Sequence, residues 1–240
     1  MSKDVHNAVS LLSVEDISSG YGKKEVIHNI SLDINKGEVV TLIGSNGAGK
    51  STLLKVIYGL GDIWGEDTVT FEGADISHAK PETLLEKGII YIGQKNNTFD
   101  SLTVEENLKT AGFVYAKKVL SEKIEMVYAL LPKLQELGTK KLSELSGGQK
   151  QLVALAMGLL HEPKLILFDE PSAGLDVKHM NEVFGIINTM KEQKGISFLV
   201  VEHRVKEVAK ITDRWVGLKL GEKIYDDVKV NQESLNEIFL

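Results

Sequence analysis

The sequence predicts an α/β fold: a buried parallel sheet joined to an antiparallel β part near the N-terminus. Two observations carry this. Three runs are continuously apolar, "VVTLIG" at 39–44, "LILF" at 165–168 and "SFLVV" at 197–201, as in strands covered on both faces. Two other runs alternate. "NISLDIN" puts Ile30, Leu32 and Ile34 on one side, and "TVTFEG" does the same with Val69 and Phe71, as in half-buried strands. Helical spacing separates the apolar runs. Met180, Val183, Phe184 and Ile187 share a face, and Gly195 stops that segment.

The middle, about 101–160, reads as helical. "TVEE" at 103–106 is a capping box, Thr103 facing Glu106. Apolar residues then recur at helical spacing from Leu120 to Leu137, broken at Pro132. No internal repeat or low-complexity linker appears. The expectation is one domain over residues 1–240, with a core at about 10–94 and 160–225 and a helical subdomain at about 95–159.

Composition narrows the function. Hydrophobic residues at 42% and charged residues at 26% suit a soluble globular chain with a sizeable core. Cysteine is absent, which excludes a disulfide framework and a thiolate metal site. The net charge of -6 argues against broad nucleic-acid binding. "MSKDVHNAVS" has no apolar core of a signal peptide, and no run approaches the ~18 apolar residues of a membrane span. The expected location is the cytosol, or the membrane through a partner.

"GSNGAGKST" matches the phosphate-binding pattern G-x-x-x-x-G-K-[ST]. It comprises Gly44, Ser45, Asn46, Gly47, Ala48, Gly49, Lys50, Ser51 and Thr52. A buried strand precedes it, and Leu53, Leu54 and Ile57 continue a helix. Backbone N–H groups and the helix N-terminus suit a phosphate. Lys50 would reach the β- and γ-phosphates, and the Ser51 hydroxyl would ligand Mg²⁺. Asp169 and Glu170 end "LILFDE". Alone they read equally well as solvated acids opening the turn at Pro171. Beside a phosphate loop, Asp169 becomes a candidate for the Mg²⁺ shell and Glu170 for polarising water. His203 follows the third apolar run, at the strand end where ligands of open α/β sheets lie. Gln94 follows "IIYIG" and by itself reads as solvated.

"LSELSGGQKQ" adds a second glycine-rich helix start. Ser146 and Gln149 form a capping box, and Leu152, Leu155, Ala156, Leu159 and Leu160 form the stripe behind it. Gly147 and Gly148 then fall in the first turn, where each costs roughly 1 kcal/mol against alanine. Missing side chains there would let a phosphate approach the N–H groups. The chain thus holds two candidate phosphate receptors and one set of acids.

Together these stretches resemble the ATP-binding subunits of ABC (ATP-binding cassette) transporters over nearly the whole length. The motifs stand in that family's order. They are Tyr21 in "SGYG", the Walker A loop, Gln94 of the Q-loop, the signature "LSGGQ" (145–149), the Walker B "LILFDE", the D-loop "SAGLD" ending at Asp176, and His203 of the H-loop. The resemblance implies a P-loop NTPase (RecA-like) core and ATP hydrolysis with Mg²⁺. It implies a head-to-tail pair of subunits, each ATP lying between one Walker A and the other signature (Ser146, Gly147, Gly148, Gln149). It further implies Tyr21 stacking on adenine, Gln94 sensing Mg²⁺, Glu170 as general base and His203 steadying the γ-phosphate. The partners implied are integral membrane permeases docked on the helical subdomain, a second ATP-binding subunit and an extracytoplasmic solute-binding protein. The implied place is the cytoplasmic face of the membrane.

"SLTVEENL", "VYALLPKLQEL" and the tail ending "IFL" are similar to the ATPases of branched-chain amino-acid importers. The alternatives are the ATPase of a lipid or lipopolysaccharide exporter and a soluble ABC ATPase such as an iron–sulfur assembly factor.

Overall fold

A computed structural model describes residues 10–65, 68–95 and 97–239. Of the stretch "MSKDVHNAVS", residues 1–9 lie outside the described residues, and so does Leu240 at the end of the tail. The chain opens with β1 (Leu12–Tyr21), β2 (Lys24–Ile34), β3 (Val39–Ile43) and α1 (Lys50–Ile57). Next come β4 (Thr68–Phe71), β5 (Ala74–Asp75), α2 (Pro81–Lys87) and β6 (Ile89–Ile92). A helical stretch follows: α3 (Val104–Ala111), α4 (Lys117–Leu130), α5 (Pro132–Glu136) and α6 (Gly147–Leu159). The rest is β7 (Leu165–Asp169), α7 (Val177–Lys194), β8 (Ser197–Val201), α8 (Val205–Val208), β9 (Arg214–Lys219), β10 (Glu222–Asp227) and α9 (Gln232–Phe239).

Two sheets result. The larger has the order β10-β9-β3-β8-β7-β6 and is parallel from β9 through β6. The smaller, β2-β1-β4-β5, is antiparallel. The fold class is therefore the α/β one expected, with the three apolar runs as β3, β7 and β8 at its centre.

Why those runs lack alternation follows from where their side chains go. Successive residues of a strand point to opposite faces. Val39, Ile166, Phe168, Phe198 and Val200 enter one core, shared with α3 to α7. Val40, Leu42, Leu165, Leu167, Leu199 and Val201 enter the other, shared with α1 and the antiparallel sheet. Both faces are dry, so both parities are apolar. Ile30, Leu32, Ile34, Val69 and Phe71 belong to the second core, and the residues between them face outward.

The helix signals resolve at their caps. Thr103 and Glu106 close the capping box of α3, with Glu106 N donating to Thr103 Oγ1 at 3.2 Å and Thr103 N to Glu106 Oε2 at 2.8 Å. Pro132 separates α4 from α5 and stands in the first turn of α5. Gly195 ends α7 in the left-handed conformation, φ 65°.

Asn107 lies inside α3 with no exposed surface. Its amide donates to the carbonyls of Phe99 and Thr103, and its oxygen accepts from Phe99 N at 2.8 Å. It ties the loop after Gln94 to the helical stretch. Truncation would leave these backbone groups without their partner. Asn107→Ala should lower the unfolding free energy by about 2 kcal/mol, read as a drop in the denaturation midpoint with an unchanged m-value.

Candidate active site

The parallel register brings the strand ends level. Leu42 pairs with Val201, Val201 with Asp169, and Phe168 with Ile92. The residues that follow these ends are Gly44, His203, Glu170 and Gln94, so candidates far apart in the chain meet along one edge.

The loop after β3 is shaped by close approach. A Cβ at Gly49 would lie 2.4 Å from Ile27 Cγ2, and φ there is 97°. Only glycine satisfies both demands. Lys50 is 5% exposed, and its Nζ donates to the carbonyls of Gly44 and Ser45, each at 2.9 Å. Burial pulls the Lys50 ammonium below the usual lysine range, and the Coulombic attraction of Glu170 and Asp169 opposes the shift.

Ser51 Oγ donates to Asp169 Oδ1 at 3.0 Å. Burial raises the Asp169 carboxyl above its ordinary value; the Ser51 bond works against this, and Glu170 adds to it. Tyr91 OH approaches Asp169 Oδ2 at 3.4 Å, and burial together with Asp169 raises the phenol.

Glu170 sits at φ 52°, a left-handed backbone that costs a residue with a side chain about 1 kcal/mol or more. Its carboxylate is held from two sides. Gln94 Nε2 donates to Oε2 at 2.5 Å, and His203 Nε2 lies 3.0 Å from Oε1, donating in the tautomer that suits a carboxylate. Of the three residues expected at a metal, Ser51 and Asp169 meet directly, and the Gln94 amide nitrogen donates to Glu170.

Ser51 and Asp169 offer only oxygens, the donor type Mg²⁺ takes when phosphates complete its shell. Among the described residues no cluster of three or more His, Asp or Glu could hold a metal by itself.

Tyr21 OH lies 3.4 Å from Thr52 Oγ1, which sets the ring, 58% exposed, beside the start of α1. The remaining candidates stand apart. Ser146 caps α6 as expected, with Ser146 N donating to Gln149 Oε1 at 3.0 Å and Gln149 N to Ser146 Oγ at 3.4 Å. No hydrogen bond among the described residues joins 146–149 to 44–52. Asp176 caps α7 and accepts from His179 N at 2.9 Å. Hydrogen bonds from the His179 backbone and ring hold its carboxyl below the ordinary value.

Sequence reasoning missed Glu202. It is 2% exposed, and its carboxylate accepts from Ser172 N and His203 N, each at 2.9 Å. It therefore links the turn after Glu170 to the residue that grips Glu170. The signal was available only as an acid directly before His203.

The family model described as ABC transporter matches residues 27–173. A high-affinity branched-chain amino acid transport ATP-binding protein of Pseudomonas aeruginosa is 35% identical over 217 residues, covering 90% of this chain and 92% of that protein. A lipoprotein-releasing system ATP-binding protein of Bacteroides thetaiotaomicron is 34% identical over 216 residues, covering 88% and 98%. A solved ATP-binding cassette of an ABC transporter in its ADP conformation superposes with a TM-score of 0.85 at 31% identity, covering 95% of this chain and 94% of that one.

Removing the Glu202 carboxylate should loosen Glu170 and His203 without touching the Lys50 loop. Glu202→Ala is expected to lower kcat for ATP by about tenfold or more while KM changes little, measured by steady-state phosphate release.

Proposed function

This chain belongs to the ABC transporter family of ATPases, and we propose that it energises solute import by closing head to tail with a second ATP-binding subunit. ATP is its substrate. Branched-chain or similar amino acids are the cargo proposed, on the strength of the Pseudomonas aeruginosa relative's name and the matching stretches at 101–108 and 127–137.

In this reading Lys50 and the loop 44–49 hold the β- and γ-phosphates, and Tyr21 stacks on the base. Ser51 and Asp169 would hold Mg²⁺, which supplies charge neutralisation at the phosphates. Glu170 takes the proton of the attacking water, and Gln94 and His203 aim its two oxygens. What supports this assignment is the doubly held carboxylate, one residue beyond the acid that Ser51 grips. A base must sit at a fixed angle to an in-line nucleophile, and two hydrogen bonds on a strained backbone fix it. Ser146, Gly147, Gly148, Gln149 and Asp176 serve the other subunit's nucleotide. They complete no site with the loop of their own chain, which supports a shared site. Hydrolysis removes the bridging γ-phosphate and reopens the pair.

Among the described residues no helix is long and apolar enough to cross a membrane. The relatives' names, as ATP-binding proteins of transport systems, support integral permeases as partners; in this reading they dock on the helical stretch at the cytoplasmic face, with a solute-binding protein outside. The lipoprotein-releasing relative, nearly as similar as the importer one, favours export as the second reading. Copurification with permeases and a solute-binding protein supports import; permeases without one favour export.

Glu170→Gln should bind ATP, hydrolyse it at least about a hundredfold more slowly, and accumulate as an ATP-dependent dimer in sedimentation. A Glu170→Gln chain that stays monomeric at saturating ATP would sink the two-subunit scheme. Ser146→Arg should abolish that dimer yet leave nucleotide affinity of the single chain within about twofold, read by fluorescent-nucleotide titration.

A further inference from the structure

The two glycines that begin α6 do not simply leave room for a ligand. A Cβ on Gly148 would lie 2.9 Å from Cβ of His179 and 3.3 Å from its Cγ and Cδ2. A Cβ on Gly147 would lie 3.1 Å from Cδ2 of Leu175. Both obstacles come from one short stretch of the same chain: Leu175 precedes the cap of α7, and His179 stands in that helix's first turn. The Leu175 contact is with the end of a flexible side chain and would yield. The Gly148 contact is with a Cβ fixed to the α7 backbone and would not.

His179 is itself pinned. Its backbone N donates to Asp176 Oδ1 at 2.9 Å, and its Nδ1 lies 2.8 Å from Asp176 Oδ2. One carboxylate thus grips both the main chain and the ring of the residue that fills the space beside Gly148. The Asp176 loop and the glycine turn of α6 interlock through this one side chain.

We propose that His179 is a positioning residue that locks the Ser146–Gly148 turn to the Asp176 loop, so that both surfaces meet the partner's nucleotide as one rigid unit. This rests on the head-to-tail reading above. Two separately mobile loops would each lose freedom on closure; a pre-joined pair loses less. The glycine at 148 is then demanded by His179, and the ring is held in place by Asp176.

The test is a double-mutant cycle in the Glu170→Gln chain, with ATP-driven dimerisation followed by sedimentation and single-chain ATP affinity by titration. Gly148→Ala should weaken dimerisation about tenfold or more, but less than about twofold when combined with His179→Gly. His179→Gly alone should weaken dimerisation about fivefold and leave single-chain ATP affinity unchanged. His179→Asn, whose amide stands in for Nδ1–H, should retain most of the dimer. Equal losses for Gly148→Ala in both backgrounds would overturn the proposal, because the partner and not His179 would then demand the glycine. A parallel fall in single-chain ATP affinity would also overturn it, reducing His179 to general support. Thermal melting of the nucleotide-free variants should show the same non-additivity. If the Glu170→Gln parent never dimerises, the two-subunit reading fails and the role of His179 falls with it, while the melting cycle still decides whether the contact exists.

Discussion

The parallel register of four buried strands is the constraint from which the rest follows. β3, β8, β7 and β6 run side by side, and their ends come level. That single fact places the phosphate loop, His203, the Asp169–Glu170 pair and Gln94 along one edge, though the chain separates them widely. The register is fixed because each strand is apolar on both faces. A slip would break packing in two cores at once.

Such an edge costs something. Lys50, Asp169 and Glu202 are all nearly buried, and an unpaired charge there is expensive. Each is answered locally. Loop carbonyls receive Lys50, Ser51 donates to Asp169, and the backbone amides of Ser172, His203 and Arg204 donate to Glu202. Burial still leaves its mark, lowering Lys50 and raising Asp169. A cation beside Asp169 and an anion beside Lys50 would each favour the charged form that burial disfavours. Glu170 adds a backbone cost of its own, at φ 52°.

Much of this was legible in the sequence, for reasons that differ by element. The apolar runs of β3, β7 and β8 could be read because burial on both faces erases alternation. The capping boxes at Thr103 and Ser146 could be read because their chemistry is local. β9 and β10 could not: "RWVGLK" has charged ends and a glycine inside its apolar run, and "EKIYDD" is polar because it lies at the sheet's edge. Glu202 escaped because its burial arises where two turns meet, which no single stretch records. The hydrogen bond from Gln94 to Glu170 was not legible either, since a side-chain rotamer depends on what faces it. Gly148 shows the same limit. Its place in the first helical turn was local; His179, which fills the space beside it, arrives from another helix.

The central claim is that each chain carries two halves of different sites. Because the chain has no cysteine, single introduced cysteines allow clean labelling with donor and acceptor dyes. The most direct measurement is ATP-dependent energy transfer between a Lys50→Ala chain and a Ser146→Arg chain, both also carrying Glu170→Gln. In a head-to-tail pair, one site collects both defects and the other is intact. Transfer should therefore appear in the mixture and in neither variant alone. No transfer in the mixture, or equal transfer within each variant alone, would contradict a site shared between two chains.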